Sequence, residues 1–276
     1  MSELPASDSV LESAKKYSDF WTVVAIALVA GIGSDFIHEG IGHGGACLLT
    51  GGHPLALSTV HFECAGEGRL VAAGGTIANL IAAVIFWAAS RGVKRSTRLR
   101  YFLWLCMTLN LLVAGGYFLF SGIGNIGDWA AVIQDYQPVW AWRVFLTALG
   151  VVTYLLFMWI SLLEMRPFLG RDRAARFYRC RRLTLIPYFS NGILACVAGA
   201  LNPVGAILIV ISAAASSFGG GSGLIWMDEW LRGSLIPDSN FEMPPLERSN
   251  LLLAAAAILA IGFIAILGPG LKFHPH

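Results

Sequence analysis

The sequence predicts an all-α fold, a polytopic integral membrane bundle of six or seven transmembrane helices, and three observations predict it. Of 276 residues, 56% are hydrophobic and 13% charged, whereas a soluble domain of this length carries about 25% charged residues. Apolar runs of roughly 20 residues, the length a bilayer span requires, recur along the chain. The arginines and lysines, finally, are concentrated in two short loops between such runs.

Spans are expected near 20–45, 70–90, 101–121, 139–163, 183–201, 205–226 and 250–268. The first is interrupted by glycines and polar residues. Residues 1–18 read as a cytoplasmic lead, because they lack the short apolar core and small-residue cleavage site of a secretory signal. Residues 19–270 form the transmembrane domain and 271–276 a tail.

Orientation follows from charge. "RGVKRSTRLR" at 91–100 and "RPFLGRDRAARFYRCRR" at 166–182 hold 12 of the 19 Lys and Arg residues. The loops near 50–68, 122–138 and 202–204 hold none. Basic loops remain inside, which places the N-terminus in the cytoplasm and the tail outside, as in a bacterial inner-membrane protein. Short arginine clusters flanking spans, without interleaved aromatics on a soluble scaffold, exclude a nucleic-acid partner. The expected partner is the lipid bilayer. Five cysteines (47, 64, 106, 180 and 196) include no CxxC pair, so no disulfide framework is expected, and Cys47 reads as a packed thiol. "GGGSG" at 219–223 lacks the Lys-Ser/Thr ending of a phosphate loop.

The first run ends in "HEGIGHGGACLLTGG", which places Asp35, His38, Glu39 and His43 toward its outer end. Each ionisable group inside a membrane costs about 2.5–3.5 kcal/mol on insertion scales, so four on one segment require partners, water or a metal. The charge-based orientation brings Asn125 and Asp128 of "GNIGDW", Asn202 of "ALNPVG", and His61 and Glu63 to the same level. Helix geometry then sets a condition. At about 100° per residue, Glu39 and His43 share a face while His38 and His43 stand about 140° apart. Both imidazoles reach one ion only if the helix takes up an extra residue, as a π-bulge does, and Gly40 and Gly42 lower the cost of that break. In a regular helix the stripe would instead be Asp35, Glu39 and His43.

These residues resemble the site-2 protease family of intramembrane zinc metalloproteases. "HEGIGHGGACLLTGG" is similar to the family's HExxH helix, with three residues instead of two between Glu39 and His43. "AAGGTIANLIAA" at 72–83 resembles its next block, a small-residue turn followed by Asn and an apolar helix. "GNIGDW" stands where a later segment supplies an aspartate ligand. The resemblance, strongest over residues 20–90, implies that His38, His43 and Asp128 bind Zn2+ and that Glu39 is the catalytic base. It also makes Asn79 a substrate-positioning or packing residue and implies hydrolysis of peptide bonds in a membrane-associated protein substrate. The chemistry lets Asn79 or Asn202 donate hydrogen bonds to such a substrate, with helix–helix hydrogen bonding as the other reading of both. The alternative is a non-catalytic transporter or receptor whose polar cluster binds an ion or small ligand.

Overall fold

The computed structural model describes residues 17–66, 68–170, 172–203, 205, 209–233, 236–237, 239 and 241–273. Helix α1 (Phe20–Phe36) starts at Asp19, whose carboxylate accepts the Thr22 N–H at 2.8 Å. It continues without a break through a π-helical turn, Ile37–Gly44, into α2 (Gly45–Leu49). Strands β1 (His53–Leu57) and β2 (Phe62–Ala65) follow as a hairpin. Next come α3 (Arg69–Gly92), α4 (Thr97–Gly124), the short α5 (Asp128–Ile133), α6 (Val139–Leu169) and α7 (Arg173–Gly199). A second π segment (Ile209–Gly219) and a 3-10 turn lead into α8 (Gly223–Gly233). Helix α9 (Asn250–Gly262), its π-helical end (Phe263–Leu267) and β3 (Leu271–Lys272) close the chain.

Helix α4 is the centre of the core. Leu105, Met107 and Leu112 on it are fully buried, and its two fully buried aromatics, Tyr101 and Trp104, satisfy their polar ends on neighbouring helices. Trp104 donates to the Ser161 carbonyl of α6 at 2.8 Å, and Tyr101 to the Leu183 carbonyl of α7 at 2.7 Å. The outer helices behave differently. Only 28% of the most apolar window of α6 and 11% of that of α9 is buried, leaving Val152, Leu156, Ile258 and Ile261 exposed. In water such faces would forfeit about 25 cal/mol per Å² of apolar area; against lipid they lie in their own solvent. Among the described residues, five helices are long and apolar enough to cross a membrane: Phe20–Leu49, Arg69–Gly92, Thr97–Gly124, Val139–Leu169 and Asn250–Leu267. The chain is predominantly helical, as a helical membrane protein is.

The expected spans at 183–201 and 205–226 are not among those five. The first is the C-terminal part of α7, whose earlier half carries Arg176, Arg179 and Arg181. Of the second, residues 206–208 lie outside the described residues, and the stretch from Ile209 onward is split between π, 3-10 and α geometry. The all-α expectation also needs correction, because β1 pairs with both β2 and β3 in a small antiparallel sheet, order β2-β1-β3. Short strands of four or five residues inside loops give too little alternation to be read from sequence. The tail is likewise part of the fold through β3, and residues 274–276 lie outside the described residues. Of the expected lead, residues 1–16 lie outside them too. Tyr17 is buried and donates to the Met243 carbonyl at 3.1 Å, and Ser18 bridges to Leu246.

The polar features segregate to two ends. At one, Arg182 donates to the Ser18 carbonyl at 3.0 Å and Arg179 pairs with Glu242. At the other lie the sheet, α5 and the π turn of the first helix. The expectation that no cysteines pair is corrected here: Cys47 and Cys64 form a disulfide that ties α2 to β2. Their separation of 17 residues carries no local motif; the hairpin's fold-back brings them together.

Candidate metal centre

The π turn Ile37–Gly44 coincides with the His38–His43 interval. The extra residue in the turn lets residues five apart stack as residues four apart do in an α-helix. The two rings meet edge to face with centroids 4.9 Å apart, and their Nε2 atoms are 3.3 Å apart. The regular-helix stripe of Asp35, Glu39 and His43 is therefore not the arrangement formed.

Close helix crossing makes room for the rings. A Cβ on Gly75 would lie 2.5 Å from His38 Cε1 and 2.7 Å from His43 Nε2. One on Gly42 would lie 2.6 Å from the Gly75 Cα. The small residues of "AAGGTIANLIAA" thus let α3 press against the π turn.

Asp128 arrives from the opposite wall. Gly127, at φ +82°, takes a left-handed turn that favours glycine and starts α5 at Asp128. Trp129 then donates to Thr76 Oγ1 at 3.0 Å, and Arg69 pairs with Asp135 at 3.2 Å, so the segment that follows the aspartate is fastened to α3 at two points. Asp128 Oδ2 comes within 3.2 Å of His38 Nε2 and 3.5 Å of His43 Nε2.

The distal nitrogens settle the tautomers. His43 Nδ1 is 2.7 Å from the Val71 carbonyl, which can only accept. His38 Nδ1 is 2.6 Å from Asn79 Oδ1. Asn79 is held in that orientation because its Nδ2 donates to Asn110 Oδ1 at 2.6 Å, and Asn110 Nδ2 donates to the Cys106 carbonyl at 2.8 Å. Each Nδ1 is therefore the donor, and each Nε2 turns a lone pair toward the other and toward a carboxylate oxygen. Asp128 Oδ2 is buried and accepts no hydrogen bond from the described residues. With both rings neutral, three electron-rich atoms converge with no proton between them.

Such a trio requires positive charge. Burial pushes the Asp128 carboxyl up, and hydrogen bonds from protonated His38 and His43, followed by their charge, would more than offset this and hold it well below the usual carboxylate range. A cation meets the same need without those protons. The three ligand atoms, the one such group among the described residues, have separations of 3.2, 3.3 and 3.5 Å. A tetrahedral ion bound at 2.0–2.1 Å spaces its ligands about 3.3–3.4 Å apart. Two neutral imidazoles, one carboxylate and an open side make the donor set of a catalytic zinc site, and the His–Asn–Asn relay is the kind of outer support such ligands need.

Glu39 is buried beside the trio and lines, with His43 and Asp128, a cavity of about 1100 Å³. Phe62, Tyr117, Phe120 and Ile123 give the cavity an apolar wall, and His61 lies exposed on its rim, outside the ligand trio. The other two expected site residues fall elsewhere. Asn79 is fully buried with its amide committed to His38 and Asn110, and it does not line the cavity. Asn202 sits in the turn after α7, also away from the cavity lining. Sequence reasoning missed Asn110 and Tyr117, whose ring stacks on His38 at 4.5 Å. An asparagine alone in the apolar stretch "TLNLL" was the available signal for the first. Compared with family models, curated proteins and solved structures, the chain matches none.

Proposed function

We propose that the protein is an intramembrane zinc metallopeptidase of the site-2-protease type. His38, His43 and Asp128 hold Zn2+, and Glu39 acts as general base. The observation that carries this reading is the convergence of three ligand atoms at zinc-ligand spacing across a π turn that a regular helix would not provide. When bound, the ion supplies a Lewis acid that acidifies water and polarises a carbonyl. Glu39 takes a proton from the attacking water and delivers it to the departing amine nitrogen. Val71 and Asn79 keep the imidazoles aimed, and the apolar cavity wall receives a membrane-associated peptide. Asn79 is a positioning residue in this scheme and leaves substrate binding to the cavity.

The bundle has six or seven spans and sits in a bacterial inner membrane with its basic loops and N-terminus in the cytoplasm. The Cys47–Cys64 disulfide supports that sidedness, since disulfides persist in oxidising compartments and this one lies at the end opposite Arg179 and Arg182. The test pairs metal analysis with proteolysis of a membrane-peptide library. Wild type should hold one zinc and cleave; Glu39→Gln should hold one zinc and not cleave. Cleavage by Glu39→Gln at the wild-type rate would refute the assignment.

A further inference from the structure

A second cavity, about 80 Å³, lies across Glu39 and Tyr117 from the larger one; those two side chains line both. Its polar walls come from four parts of the chain. Asp35 supplies a carboxylate from α1, Asn191 an amide from α7, and Thr59 and Ser217 supply hydroxyls from the β1–β2 loop and the second π segment. Thr59 is 6% exposed, yet its Oγ1 is buried without a hydrogen-bond partner. Both Oδ1 and Nδ2 of Asn191 are in the same state. Among the described residues, no lysine or arginine pairs with Asp35. An uncompensated carboxylate and three unused polar atoms, on residues that line one small space, are costly to bury.

We propose that this cavity binds one hard monovalent cation of the Na+ class, through the Asp35 carboxylate, Asn191 Oδ1 and Thr59 Oγ1. The donors are all oxygen, which selects hard cations over zinc. His38 also lines the cavity, but both its nitrogens are engaged elsewhere. One carboxylate among neutral carbonyl and hydroxyl oxygens balances a single positive charge, whereas Ca2+ sites gather six to eight oxygens, several of them anionic. With about 30 Å³ per water, the space admits an ion with one or two waters. The site is independent of the peptidase reading and does not require it.

The test is thermal unfolding of the full-length chain in detergent, titrated with NaCl against choline chloride at constant ionic strength. Wild type should show a saturable rise in unfolding midpoint with Na+ and none with choline. Thr59→Val, which removes one oxygen at nearly constant volume, should raise the half-saturating concentration at least tenfold, and Asp35→Asn should abolish the response. Zinc content should match wild type in both, separating loss of this site from collapse of the other. If Asp35→Asn fails to fold, Thr59→Val decides. No cation-specific rise in wild type, an unchanged half-saturation in Thr59→Val, or a rise given by Mg2+ or Ca2+ but not Na+ would overturn the proposal.

Discussion

Replacing Asn79 with leucine isolates the support given to His38 from everything else in the site. The side chains are similar in size, and residue 79 is fully buried between α3 and α4. The substitution removes the acceptor 2.6 Å from His38 Nδ1 and the donor 2.6 Å from Asn110 Oδ1. Loss of an outer-shell partner weakens metal binding 10–100-fold, or about 1.4–2.7 kcal/mol. Two buried groups left without partners cost about 1–3 kcal/mol each in stability, so the unfolding midpoint falls as well. Competition with a chromophoric chelator reads the zinc affinity, and calorimetry reads the stability. Asn79→Asp preserves an acceptor at the same place and should keep or tighten zinc, which distinguishes lost aim from lost packing. Zinc affinity within twofold of wild type in Asn79→Leu would refute the relay. A higher KM at unchanged zinc affinity would return Asn79 to substrate binding.

Gly75→Ala should lose zinc, because the new methyl would lie 2.5–2.7 Å from both imidazoles; wild-type metal content in this variant would show that the helices separate freely. Opening the Cys47–Cys64 bridge, by excess reductant or by double substitution to alanine, should cost about 3 kcal/mol for a loop of this length, read as a lower unfolding midpoint. Asp228, buried in α8 with Arg181 4.0 Å away, has its carboxyl raised chiefly by burial. A raised folded-state value means its contribution is full below the unfolded pKa, about 3.9, and lost as pH rises through the folded value. Asp228→Asn should therefore stabilise the protein at pH 7, with the gain shrinking toward pH 4; a constant difference across that range would contradict the assignment. For topology, the disulfide stays in place while Cys106, Cys180 and Cys196 are removed. Impermeant thiol reagent applied to intact cells should then label Gln137→Cys and spare Ser96→Cys.

The parts of this molecule legible in its sequence are those set by local chemistry. Apolar run length located the five long helices, and the arginine partition separated the two ends, because both signals survive any detail of packing. The π turn was legible for a different reason: His38 and His43 are five apart, and helix geometry left one way to bring them together. What sequence could not supply depends on contacts between distant segments. Cys47 meets Cys64 only after the hairpin folds back, and Leu271 joins β1 only after the last helix has crossed to the same end. Asn79 illustrates the limit most clearly. Its place in a small-residue block pointed to the site, but its orientation depends on Asn110, 31 residues later. A family role for residue 79 therefore pointed at substrate, while the hydrogen bonds point at His38. Orientation brought Asp128 to the level of the histidines and the family resemblance singled it out as a ligand, although the turn at Gly127 that aims it was not legible.

The central claim is that His38, His43 and Asp128 hold one zinc ion. X-ray absorption at the zinc edge on purified full-length protein tests it most directly. The expected result is one zinc per chain with nitrogen and oxygen ligands only, at about 2.0–2.1 Å, including an imidazole signature that His38→Ala or His43→Ala removes. A chain that purifies without stoichiometric metal after growth in zinc, or a bound zinc with sulfur ligands, would contradict it.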